Sequence, residues 1–234
     1  MLGINLKLFL RNHLSSSYVF HSKLMVEQFT EINTEKRRMM MGEKKVYILL
    51  TDTGTILTKL IKLYTKKPYN HASISFDSDL SKVYSFGRKS VNNPFIGGFV
   101  QEDVSSELFE HADCAIYSLT VTEEDMEKMK RYIETIVKHE EQYRYHFLGL
   151  FGFLFNKPIE RRNAFFCSQF VASVLKKCKS VDFEKPMALI APDDLKKQSN
   201  MQLVYEGKLK AYHDKKVSGG WDFNSEFVSN VLPI

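Results

Sequence analysis

An α+β fold, an antiparallel sheet of about five strands packed against helices, follows from three features of the sequence. Val46-Tyr47-Ile48-Leu49-Leu50 is a continuous apolar run of strand length. His71 to Asp77 alternates between polar and apolar residues. Two later segments, Met126 to Val137 and Phe170 to Cys178, carry apolar residues at helical spacing.

In chain order, the run at 46–50 reads as a buried strand, and Asp52-Thr53-Gly54-Thr55 as a turn. Ile56, Leu57, Leu60, Ile61 and Tyr64 then recur at helical spacing until Pro68 ends the pattern. His71, Ser73, Ser75 and Asp77 share one face of a half-buried strand, and Ala72, Ile74 and Phe76 share the other. Lys82 to Phe86 is a second short strand, joined to the first as a hairpin. Asn92 to Gly98, with Pro94 and Gly97-Gly98, reads as a loop, and Cys114 to Val121 as a strand. Thr122-Glu123-Glu124-Asp125 opens a helix with a pattern like a capping box and acidic residues at the positive end of the dipole. Met126, Met129, Ile133, Ile136 and Val137 form its buried stripe. Phe170, Val171, Val174, Leu175 and Cys178 mark a second amphipathic helix with Cys167 at its start. Pro192-Asp193-Asp194-Leu195 is a short helix entry, where Asp193 and Asp194 serve the helix start, and Met201 to Tyr205 is the last strand.

The 234 residues suit one compact domain with tails. Residues 1–43 read as an N-terminal extension, poorly ordered or loosely docked, with a docked helix through Phe20 to Phe29 as the alternative. The domain proper spans 44–213, and 214–234 is a C-terminal tail over the surface. An excess of 33 Lys and Arg over 28 Asp and Glu gives a net charge of +5, too mild and too dispersed for a nucleic-acid partner. The longest apolar run, Phe147 to Phe155, is shorter than the roughly 20 residues of a membrane span. Flanked by Arg161-Arg162, it has two readings: ordinary core or loop packing, or a segment that holds an acyl chain or touches a membrane surface weakly. Three cysteines with no paired spacing, and no CxxC or HExxH, point away from disulfides and from a metal or other cofactor. A reducing, cytoplasmic setting is expected.

The chemistry centres on Cys167. A cysteine at a helix start has free N–H groups and a positive dipole end, which favour the nucleophilic thiolate and can receive an oxyanion. A general base is still required, and His71, at the start of a strand, is the candidate. Without more, a buried inert thiol and a satisfied histidine explain the same residues. Ser168 serves either the helix start and its oxyanion site or only the cap. His146 and His111 have no partner pattern and read as structural or exposed. Tyr84 to Lys89 reads as a solvated strand end or as a wall of a substrate groove.

The stretch Phe166-Cys167-Ser168-Gln169-Phe170-Val171 resembles the nucleophile helix of NlpC-type cell-wall endopeptidases. In those enzymes the cysteine precedes the histidine. Here His71 comes first, an order similar to the circularly permuted papain-like branch that includes YiiX/YaeF-like amidases and lecithin:retinol acyltransferase. Asn70-His71-Ala72-Ser73-Ile74-Ser75-Phe76 matches the histidine strand of that branch, and Ala191-Pro192-Asp193-Asp194-Leu195 resembles a segment seen after the cysteine helix in the YiiX-like group.

The resemblance, over residues 44 to 206, implies a circularly permuted papain-like (NlpC-like) fold and a thiol hydrolase of amide or related acyl bonds. Peptides, peptidoglycan fragments and lipid amides are the implied substrates. The family places a third polar residue, often Glu or His, on the strand after the histidine strand. Position 85 matches by spacing and holds a serine, so Ser85 is the expected orienting residue, with Asp77, Glu102 and Asp103 as substitutes. Two rivals stand beside this reading: an acyltransferase of the retinol-enzyme type, and a catalytically silent binding domain, which the missing carboxylate favours.

Overall fold

The computed structural model describes residues 42–52, 62, 66–89, 97–146, 149, 152 and 155–217. Contacts divide the chain between Glu43 and Lys44. The sequence expectations for 1–41, for the helix at 56–64, for most of the apolar run from Phe147, and for the tail beyond Val217 lie outside the described residues.

The strands are β1 (Lys44–Asp52), β2 (His71–Ser75), β3 (Val83–Arg88), β4 (Gly97–Glu102), β5 (Asp113–Val121) and β8 (Met201–Lys208). They form one six-stranded sheet in the order β4-β3-β2-β1-β5-β8. Every neighbouring pair is antiparallel. Two short strands, β6 (Arg144–Tyr145) and β7 (Ala164–Phe165), pair in parallel apart from it. The helices are α1 (Glu123–Lys138), α2 (Cys167–Leu175), α3 (Pro192–Leu195) and α4 (Leu209–Val217).

Period-2 alternation splits each strand between two apolar layers. On one face Val46, Ile48, Leu50, Ala72, Ile74, Phe86 and Phe99 pack with Met129, Ile133, Phe170 and Val171 of α1 and α2. On the other, Tyr47, Leu49, Val83 and Ile116 pack with Leu209 and Tyr212 of α4. Phe170 fixes α2 to the sheet through ring contacts with Phe86 at 5.1 Å and Phe99 at 5.8 Å. A buried aromatic of this kind stabilises the fold by about 1.5–3 kcal/mol relative to leaving it exposed.

Several expectations need correction. The β2 strand is not half-buried: it lies between β1 and β3 in a sheet covered on both faces, so Ser73 and Ser75 are fully enclosed. Their hydroxyls are satisfied inside, Ser73 on Glu102 and Ser75 on the Asp77 carbonyl. Gly97-Gly98 is not loop but the start of β4, an edge strand that the sequence analysis did not foresee. A Cβ on Gly97 would fall 2.7 Å from Tyr145 Cβ, and a Cβ on Gly98 2.9 Å from Lys89 Cε, so these glycines admit close neighbours instead of breaking the strand.

In α1, the Thr122 hydroxyl accepts from the Asp125 N–H, but the Asp125 carboxylate turns to Lys128 and the Cys178 thiol, leaving only half a capping box. Val137 is 47% exposed and lies off the buried stripe. α2 is enclosed on nearly every side and is not amphipathic, with only Ser173 half-buried; Cys178 lies past its end. α4 carries regular structure across the expected boundary at 213.

Candidate active site

The site forms where β2 and β3 part. Their ladder is confined to Ile74↔Tyr84 and Ser75↔Val83. Nearer the strand start, the Ala72 carbonyl accepts from the Ser85 hydroxyl at 3.1 Å, so the Ala72 backbone groups face this opening. The Ala72 N–H donates there to the Cys167 sulfur, as does the N–H of Ser168.

Cys167 is the first residue of α2 and is buried. The extended backbone of Phe166 starts the helix, with no side chain capping it. First-turn N–H groups therefore stay available near the sulfur. The Ser168 hydroxyl is committed elsewhere: it donates to the Ile190 carbonyl at 2.7 Å and ties α2 to the segment that leads into α3. Its contribution at the sulfur is its main chain. At that segment the Asp194 carboxylate accepts from the Ala191 N–H at 3.1 Å, the helix-start role expected of it.

His71 hydrogen-bonds to the Cys167 thiol. Its Nε2 lies 2.6 Å from Glu102 Oε1 and 3.2 Å from Ser85 Oγ. With Nε2 on Glu102, Nδ1 is the nitrogen left for the sulfur. Glu102 comes to the imidazole because it stands opposite Val83 in the β3–β4 register, on the face that carries Ser85 and Gly87. Its second oxygen accepts from the Ser73 hydroxyl at 2.5 Å. Gly87 leaves room beside the pair, since a Cβ there would lie 3.8 Å from His71 Cε1 and 3.9 Å from Glu102 Oε1.

These distances change the assignment of the third member. Ser85 does touch the ring, but its proton goes to the Ala72 carbonyl, and the charged acceptor at short range is Glu102. Asp77, another substitute, instead accepts from the Ser81 hydroxyl and lies beyond the end of β2. Asp103 is engaged by the N–H and hydroxyl of Ser105.

The electrostatics follow from this arrangement. Burial pushes the Cys167 thiol up, but the His71 charge and hydrogen bond and the N–H groups of Ala72 and Ser168 outweigh it, so the thiol is lowered overall. Burial pulls the His71 imidazole down, but the Glu102 carboxylate and then the Cys167 thiolate hold it well above the ordinary histidine range. Both shifts favour a thiolate–imidazolium pair over the neutral pair.

Tyr145, which the sequence did not single out, lies near enough to Cys167 for the thiolate charge to act on its phenol. Burial, then the nearby Cys167 charge, pushes its phenol far up, so the O–H stays protonated and able to donate. Gly97 makes room for the base of the Tyr145 side chain, since a Cβ on the glycine would fall 2.7 Å from Tyr145 Cβ. Buried polar atoms without a partner lie close by in the chain: Thr51 Oγ1 on the cross-strand neighbour of His71, Asn70 Oδ1 just before it, and Gln169 Oε1 in α2. His146 is buried, with its ring on the Ile159 carbonyl and the Gly149 N–H. The main chain of His111 receives Lys208.

Among the described residues no group of three or more His, Cys, Asp or Glu side chains is placed to hold a metal ion, and no helix is long and apolar enough to cross a membrane. No family model, curated protein or solved structure matches the chain.

Proposed function

We propose that the chain is a cysteine hydrolase of amide or related acyl bonds, with the circularly permuted papain-like fold that its sequence resembles. One observation carries this reading: a buried cysteine at a helix start shares a hydrogen bond with a histidine whose other nitrogen is held by a carboxylate. A buried thiol without function gains nothing from such a relay.

In the proposed cycle the Cys167 thiolate attacks the substrate carbonyl carbon. The carbonyl π pair moves onto oxygen, and first-turn N–H groups of α2 stabilise that charge. His71, as imidazolium, gives its proton to the leaving amine or alkoxide while the C–N or C–O bond breaks, which leaves a thioester. Neutral His71 then takes a proton from water, hydroxide adds to the thioester, and the C–S bond breaks to release the acid and restore the thiolate. Glu102 keeps the ring oriented and stabilises its charged form.

The carboxylate beside His71 removes the support that a silent binding domain drew from its absence. An acyltransferase differs only in the group that resolves the thioester. The test is mass spectrometry after exposure to an activated acyl ester such as p-nitrophenyl acetate. An acyl adduct on Cys167 that decays to free acid in water is expected. An intact protein with no adduct at Cys167 defeats the reading, and an adduct that decays only when an alcohol or amine is added replaces hydrolysis with transfer.

A further inference from the structure

The chain leaves the site at His146 and returns at Asn163. The β6–β7 ladder clamps this excursion at its base: Arg144 N–H donates to the Asn163 carbonyl at 3.0 Å, and His146 N–H to the Phe165 carbonyl at 2.9 Å. One end is next to Tyr145, and the other is separated from Cys167 by β7 and Phe166. Hydrogen bonds join its described residues. The buried His146 ring bridges the Ile159 carbonyl at 2.9 Å and the Gly149 N–H at 3.1 Å. Lys157 N–H donates to the Gly152 carbonyl at 2.8 Å. Asn156 turns the chain with a positive φ of 53°, which asparagine tolerates.

This built loop turns apolar side chains outward. Phe155 is 73% exposed and Ile159 38% exposed, two of five large apolar residues so placed among the described residues. Lys157, Arg161 and Arg162 are exposed between and beyond them, against one acid, Glu160. The sequence also runs from Phe147 to Asn156 without a charge. Apolar side chains that gain by leaving water, set among cations, match the interface of an anionic phospholipid bilayer, where acyl chains take the first and headgroup phosphates the second.

We propose that this loop, Phe155 to Arg162, docks the chain on anionic phospholipid membranes and brings the Cys167 site to the bilayer surface. It goes beyond the hydrolase reading and does not depend on it. Docking needs both features, because one exposed aromatic or a few cations alone give weak, reversible attachment.

The experiment is co-sedimentation of the full chain with vesicles of phosphatidylcholine alone and of phosphatidylcholine mixed with phosphatidylglycerol. Binding to the mixed vesicles is expected, and added salt should weaken it. The double substitution Phe155→Ser with Ile159→Ser should lower partition by about tenfold or more. Arg161→Glu with Arg162→Glu should abolish the preference for the anionic lipid. All four side chains lie at the surface, and unchanged labelling of Cys167 by iodoacetamide certifies that each variant is folded. A wild-type chain that stays in the supernatant overturns the proposal. So do variants that bind as well as wild type, since attachment would then come from elsewhere in the chain. Cys167→Ala should bind as wild type does, which keeps this outcome separate from that of the acyl-adduct test.

Discussion

Cys167 and Cys114 are both buried, yet their surroundings drive their thiols in opposite directions. Cys114 lies in β5, and the charges near it are the carboxylates of Asp113 and Glu206; burial and these acids push its thiol up to about 12. Cys167 meets the same burial but faces an imidazole and two main-chain N–H groups, and its thiol is lowered. Cys114 also receives the Gly207 N–H, so one main-chain donor does not offset burial among acids, whereas an imidazole with two such donors does. What separates the two thiols is their charged partner: Cys167 faces the His71 imidazole and Cys114 faces carboxylates.

The largest disturbance of this contrast is removal of His71. In His71→Ala the main desolvation cost remains while the principal compensating charge is gone. Iodoacetamide labelling of Cys167 at neutral pH should slow by about 100-fold, toward the behaviour of Cys114. A change of less than a few-fold would mean that the imidazole does not set the thiolate. A smaller effect is expected from Glu102→Gln, which keeps the hydrogen bond and removes the charge. Labelling should fall by about tenfold, and the His71 pKa followed by NMR should drop. Unchanged labelling with an unchanged His71 titration would show that the short Glu102 contact is only structural.

The pH profile gives the finest comparison. Because the Cys167 thiol is lowered, the thiolate persists as pH falls below the ordinary thiol value of about 8.5, and labelling is lost only at the depressed pKa. Because His71 is raised, its charge persists as pH rises above about 6.5, so hydrolysis, which needs the imidazolium as acid, should decline only on the alkaline side of that value. Cys114 should show no plateau at neutral pH and should label only near pH 12 or in unfolded protein. A Cys167 profile with a single step near 8.5 would erase the contrast.

Much of the site was legible because it is written locally. The apolar run at 46–50, the alternation from His71 and the apolar spacing after Cys167 each specify an element within a few residues, and the resemblance joined the two ends. The third member was not legible in the same way. Glu102 reaches His71 through the β3–β4 register, a pairing between distant segments, and two glycines that read as a loop concealed its strand. The spacing that selected Ser85 did find a residue of the site, but not the charged one. Tyr145 was hidden because a two-residue strand has no periodicity to detect. Val137 follows a helical count, and only the position of the neighbouring elements decides that it faces water.

The Ala72 N–H has a consequence for how such a site is altered. It belongs to the main chain, so nineteen of the twenty amino acids present the same donor at that position, and only proline withholds it. A side-chain scan would pass over position 72 as a small core residue and record packing losses there. The His71→Ala protein would likewise keep this donor and that of Ser168, so its sulfur should stay more acidic than that of Cys114. Part of the thiol's acidity is thus inherited from the path of the backbone, and it survives as long as the two strands remain apart.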